Sequence, residues 1–334
     1  MMLKKQMEQL KNVGEIYFYD FNKETNTLFA KTEEGELISI TFDTVYEGKR
    51  FFEKEKLSAI TISPVDEESA KNLLKPFAKL TIEVEGVKDE YSHFTTNASI
   101  TLKDQKGNVW FEVKEWQGNG FDMLESVDFE YEQHNYDPLF LNPVVISSNL
   151  FMNDGATANT MEKLSHVKKD ASVVIINNAE PQYGITSVNG FKQYGYTDVQ
   201  ELTVSKEKIT EQHSIIKKAD LVVLSGGNPW VLLKDLRATN ALLYLSDEAT
   251  LVGVSAGAMV LGEHIQFVED LAPSYNENNE FFYSNGYDLF DGKIIVPHCD
   301  EEQYFTKEQI KKSLSYYDEQ AIFINSIDEV KETL

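Results

Sequence analysis

The run Gly253-Val254-Ser255-Ala256-Gly257 spells GxSxG between an apolar stretch, ATLVGV, and a helix-forming stretch, AMVLG. In that setting the glycines let the backbone turn sharply and lift a serine hydroxyl above the edge of a sheet, where it can act as a nucleophile on a carbonyl. The amide of Ala256, at the start of the following helix, faces the charge that develops in such an attack. The bland reading is a tight strand-to-helix turn with a serine cap. A nucleophilic serine also needs a base, and the base an orienting acid.

Six histidines are available, and His298 in KIIVPHCDEE stands at the carboxyl end of an apolar run, on the rim where Ser255 would lie. His264 falls on the helix expected to leave the elbow and points away from that rim. His93 and His134 belong to a different region, and His166 and His213 sit on amphipathic stretches, where structural roles suit them. Cys299 neighbours His298, but adjacent residues of an extended segment face opposite sides, so the thiol reads as passive. A second turn, Gly226-Gly227-Asn228-Pro229, follows the apolar run ADLVVLS. Its glycines permit close backbone approach, and its proline suits a first helical position. Gly226, Gly227 and Asn228 are therefore candidates for the second oxyanion donor and for substrate contacts. Packing alone is the simpler alternative, and no GxxxxGK[ST] phosphate loop is present.

Positioning these groups requires the carboxyl ends of several strands to meet, as in a parallel sheet where ligands bind beyond the strand ends. From Pro143 onward, fully apolar runs (VVISS, SVVIIN, VQELTV, LVVLS, TLVGVS, KIIVP, AIFIN) alternate with helical segments. This pattern predicts a doubly wound α/β domain with a mostly parallel sheet over residues 143–334. Residues 1–138 instead carry period-two aromatic and β-branched runs such as EIYFYDF, LTIEVEG and VWFEVKEW. They predict a β-rich domain, or an α+β one, with a helical candidate near DEESAKNLLKPFAKL that Pro76 should end. DFNKETNTLF has Thr25 and Lys31 where a calcium loop needs glycine and glutamate, so it reads as a polar hairpin turn.

The 334 residues, with 42% hydrophobic and 12% aromatic, describe a folded chain of about two domains. A net charge of −24 disfavours a nucleic-acid partner. No apolar run is long enough for a membrane span, and no signal sequence is legible, so a cytoplasmic location is expected. One cysteine excludes an intrachain disulfide and a cysteine-based zinc site.

With these residues in view, the chain resembles the peptidase E and cyanophycinase family of serine peptidases over residues 143–330. SGGNPWVLLKDLRAT, GVSAGAMVLG and IIVPHCD match the family's GGN loop, nucleophile elbow and histidine strand, in family order. The resemblance implies a fold similar to flavodoxin and to class I glutamine amidotransferases, with Ser255 as nucleophile and His298 as base. In the aspartyl dipeptidase branch the acid lies fifteen residues beyond the serine, which maps it to Asp270, with Glu269 as its rival. The implied activity is hydrolysis of small peptides, dipeptides with amino-terminal aspartate among them, without metal or organic cofactor; a homodimer is a candidate assembly. The family's dipeptidases bind that aspartate, for which arginines are the natural partners. This chain has only Arg50 and Arg237, and Lys307 and Lys311 are the cations that follow His298. Pro229 and Trp230 replace the more usual residues after GGN, and a tryptophan at the pocket rim would reshape it. A binding or regulatory protein on a peptidase scaffold is the competing reading. Amidotransfer is disfavoured, because that chemistry normally uses a thiolate.

Overall fold

The alternating runs of the first region pair into one antiparallel sheet, while the apolar runs of the second form a parallel one. The computed structural model describes residues 2–49, 52–85, 98–116, 126–131, 139–277, 281, 283–300, 305–315, 321–325 and 330–332. His93 and His134 lie outside the described residues. The chain divides into two compact units, Met1–Leu139 and Phe140–Leu334.

The first unit begins with helix α1 (Met2–Val13) and continues through β1 (Glu15–Asn22), β2 (Thr27–Thr32), β3 (Leu37–Lys49), β4 (Phe52–Pro64), α2 (Glu67–Asn72), β5 (Ala78–Glu85), β6 (Ala98–Asp104), β7 (Val109–Trp116) and β8 (Ser126–Tyr131). The strands form one sheet in the order β4-β3-β2-β1-β5-β6-β7-β8, all adjacent pairs antiparallel. One face packs with Met7 and Leu10 of α1 around Phe18, Phe42 and Phe111. The unit is thus α+β. The expected helix near residue 66 is only six residues long, capped by Asp66, and Leu73 is already extended, three residues before Pro76. The polar turn after β1 is held by Asn22, whose side-chain oxygen accepts from the amides of Glu24 and Thr25.

The second unit holds β9 (Val144–Ser147), α3 (Asp154–Lys163), β10 (Ser172–Ile176), α4 (Pro181–Gln193), β11 (Asp198–Leu202), α5 (Ile209–Lys218), β12 (Leu221–Leu224), α6 (Pro229–Thr239), β13 (Thr250–Val254), α7 (Ala256–Met259), α8 (Val268–Leu271), β14 (Ile294–Val296), α9 (Lys307–Leu314), β15 (Ala321–Phe323) and β16 (Val330–Glu332). Its main sheet runs β11-β10-β12-β13-β9-β16, parallel except for β16. Successive residues of each buried strand feed two separate cores. Val174, Ile176, Val222 and Leu224 join one, and Val173, Ile175, Leu221 and Val223 the other. Both faces are therefore covered, which is why the strands are apolar throughout.

Strands β10 to β13 follow the flavodoxin order, but the fifth position is taken by β9, which enters the domain first rather than last. The order reverses between β10 and β12, so a crevice is expected beyond their carboxyl ends. The histidine strand β14 is not in this sheet; it pairs with β15. Among the described residues no helix is long and apolar enough to cross a membrane, and no cluster of three or more metal-ligating side chains occurs.

The segment after β9 is anchored by Phe151, whose ring packs edge-on to Phe191 of α4 at 4.9 Å between centroids. A side chain at Gly190 would collide with that ring. We expect Gly190→Ala to displace the segment and destabilise the fold by about 1–3 kcal/mol, measured by urea unfolding of the full chain. Unchanged stability would show that the ring has room to yield.

Candidate active site

Ser255 follows the buried strand β13 with φ 52° and ψ −109°, a backbone region that L-residues avoid. Several contacts hold it there. Its amide donates to Ser147 O at 2.9 Å, and its carbonyl accepts from Ala258 and Met259 at 2.9 and 3.0 Å. A Cβ on Gly257 would collide with the Leu224 carbonyl oxygen and lie 2.7 Å from its carbon. One on Gly253 would come within 2.7 Å of Gly257 O. The two glycines of GxSxG are thus fixed by backbone packing, the first against the turn itself and the second against the end of β12.

The elbow helix α7 is a single turn, shorter than the sequence suggested. The carbonyls of residues 260–263 are taken by the amides of Gly286, Tyr287, Asp288 and Leu289, which cross over this segment and leave no acceptors for further helix. His264 consequently lies beyond the helix, in an isolated bridge with Asn285.

His298 follows β14 with φ 57° and is buried. Its Nε2 stands 2.9 Å from Ser255 Oγ. Its amide donates to Ser148 Oγ at 3.0 Å, and Ser148 Oγ donates in turn to Ile324 O at 2.9 Å. Ser148 is a site residue that the sequence reading missed. Val254 pairs with Ser147 in register, so the residue after β9 lies beside Ser255. That adjacency follows only from the strand order. The elements carrying nucleophile and base are joined here by one buried hydroxyl.

The loop after β12 lies against the elbow, since a Cβ on Gly226 would be 3.3 Å from Ser255 Cβ. Gly227 takes φ 130°, and a Cβ there would meet Ala179 and Glu180 at the end of β10 within 2.6 Å. Among the described residues the amides of Gly227 and Ala256 donate to no protein acceptor. Ala256 directly follows the serine, and Gly227 follows the glycine that lies against it.

Three expected residues sit otherwise. Asn228 caps α6, accepting from the amides of Trp230 and Val231, while its Nδ2 donates to Tyr275 O at 3.0 Å; its side chain is committed to the scaffold. Trp230 is not at the rim but fully buried in the main core, stacked on Phe281. Asp270 is exposed on α8 and makes no hydrogen bond to His298. Its rival Glu269 accepts from Gln266 and from Asn276 Nδ2, which ties down the turn that carries Tyr275. Both lie on a one-turn helix, where a shift of one residue decides which acid faces inward, and spacing alone cannot fix that.

His166 and His213 make structural contacts. His166 bridges Lys163 O and Thr250 Oγ1, and His213 donates to Thr239 O and stacks on Tyr244. Cys299 is partly buried against the core. Lys311 is exposed on α9 and lines no part of the cleft; the side chain of Lys307 is outside the described residues.

Comparison with known proteins places this geometry. The model of peptidase family S51 matches residues 144–330, more than half of the chain. The chain belongs to peptidase family S51. The S51 match begins at β9 and ends at β16, so it spans the site residues of the second unit and none of the first unit. An uncharacterized peptidase of Listeria monocytogenes is 26% identical over 123 residues, 36% of this chain. That match spans 58% of the length of the curated relative. Two solved structures are also similar. A peptidase E candidate from Listeria monocytogenes has TM-score 0.47 and 18% identity, covering 57% of this chain and 98% of its own. A peptidase from an acI-B1 Actinobacterium has TM-score 0.43 and 21% identity, covering 57% and 83%.

We expect Gly257→Ala to cost about 1–3 kcal/mol, because the added methyl meets backbone rather than a flexible side chain. Thermal unfolding of the variant beside the parent chain measures this, and an unshifted transition would contradict the account of the elbow.

Proposed function

We propose that the chain is a serine peptidase acting on small peptides, in the manner of a dipeptidase. The observation that carries this reading is the 2.9 Å contact between Ser255 Oγ and His298 Nε2 at the elbow of an S51 chain. Ser255 attacks the scissile carbonyl, and His298 Nε2 accepts its proton and then delivers it to the leaving amine. The amides of Gly227 and Ala256 hold the tetrahedral oxyanion, each donor lowering the barrier by about 2.7–4 kcal/mol. Water, activated by the same imidazole, then hydrolyses the acyl-enzyme. The proposed chemistry uses only these groups.

In this reading Ser148 anchors the backbone that carries the ring, and Asp270 makes no bond to it. Removing the Ser148 hydroxyl leaves a buried amide and a buried carbonyl without that partner, at about 1–3 kcal/mol. The exposure of Asp270 is also what favours a second reading, a binding protein that retains the peptidase scaffold without efficient turnover.

A fluorophosphonate distinguishes these readings, because it reports the nucleophile without depending on a peptide side chain. We expect rapid labelling of the parent chain and none of Ser255→Ala; equal labelling of both would refute the assignment. We expect Asp270→Asn to slow labelling by less than about tenfold, since no bond to the ring is lost. A drop approaching the roughly 10⁴-fold effect of removing a true orienting acid would return Asp270 to the machinery.

A further inference from the structure

A cleft opens beside Ser255 and is lined by Ser148, Ser255, His298 and the loop glycines Gly226 and Gly227. Its polar end is formed by Ser148, Ser255 and His298. The lining also carries Leu150, Met152, Tyr183, Met259, Tyr275 and Phe305, with the uncharged polar side chains of Asn149, Thr186 and Ser187 among them. Among the described residues no lysine or arginine lines it. Met152, Tyr183 and Tyr275 are 60%, 37% and 38% exposed, and all three line this one cleft. Exposed apolar surface gathered at a concave site marks a place where something binds.

Tyr183 and Tyr275 stand at the oxyanion-loop end. Tyr183 is held by its amide on Glu180 O, at the segment against which Gly227 packs. Tyr275 is tethered through its carbonyl to Asn228, the residue after Gly227. Both residues line the cleft together with Gly226 and Gly227. The charge nearby is negative. Burial raises the Tyr275 phenol above its usual pKa, and repulsion from Tyr183 and Glu180 adds to the effect, so the phenol is neutral and Glu180 lies within electrostatic reach. A substrate carboxylate placed here would find no lysine or arginine among the described lining residues, and desolvating it without a partner is costly.

We infer that this cleft selects peptides carrying a bulky uncharged side chain on the acyl side of the scissile bond, with Tyr183 and Tyr275 as the discriminating contacts. The inference rests on the proposed peptidase reading and names its substrate class. An amino-terminal aspartate, which the sequence resemblance implied, is disfavoured by the same lining.

The test uses the full chain and dipeptides X-Leu, with X as Leu, Phe, Met, Ala, Asp or Lys, and product release followed by chromatography. The expected result is kcat/KM for Leu, Phe and Met about 100-fold above that for Asp and Lys. Tyr275→Ala should bring Phe and Leu down toward Ala by about tenfold or more, while Tyr275→Phe keeps the ranking. Aspartate or lysine processed as well as leucine, or a ranking that survives Tyr275→Ala in a variant with a normal unfolding transition, overturns the inference. So does fluorophosphonate labelling of Ser255 with no turnover of any dipeptide. Absence of that labelling is a different outcome, because it removes the peptidase reading itself and this substrate class with it.

Discussion

A serine held at positive φ is the constraint on which the rest of the second unit depends. The chain can enter that conformation only where its neighbours prevent relaxation, since non-glycine residues there are strained by about 1–3 kcal/mol. Here the neighbours are the carbonyl of Ser147 on one adjacent strand, the end of β12 against Gly257 on the other, and the first turn of α7. A parallel sheet covered on both faces supplies these contacts, because it fixes adjacent strand ends at one height. The strain at Ser255 is sustained by two apolar cores, one on each face of the sheet, whose upper members also line the cleft.

The base is held by a different logic. Among the described residues strand β14 pairs with β15 and not with the main sheet, so the imidazole does not inherit its position from a main-sheet strand. It is carried to the serine by local hydrogen bonds: Ile324 to Val296, Cys299 to Ile324, and Ser148 to both Ile324 and the His298 amide. Ser148 spans the gap between the two sheets with one hydroxyl that donates once and accepts once. A methyl in its place would satisfy neither group, whereas threonine retains the hydroxyl.

The parts of this arrangement legible in the sequence were those written in contiguous residues. GVSAG and VPH each end an apolar run, so Ser255 and His298 were identifiable as rim residues before any strand order was known. Ser148 was not, because its partners are contributed by segments far away in the chain and its run, VVISS, looks like any other buried strand. The length of α7 was misread since its last carbonyls are taken by residues 286–289, which no helical propensity records. Helix α1 carried a readable stripe, Leu3, Met7 and Leu10, at helical spacing. In β4, by contrast, the lysines and glutamates of FEKEK obscure the alternation that defines a strand. Trp230 shows the limit of reading a pocket from a loop: one residue after Pro229, its ring turns into the core instead of toward the cleft.

The central claim is that one imidazole activates one hydroxyl, and the rate of phosphonylation tests it directly. Mass-spectrometric mapping after fluorophosphonate treatment should place the adduct on Ser255 in the parent chain. The rate constant in His298→Gln should fall by about 10³-fold or more, the scale lost when an activating base is removed. Labelling of Ser255 at the same rate without the imidazole would contradict the account.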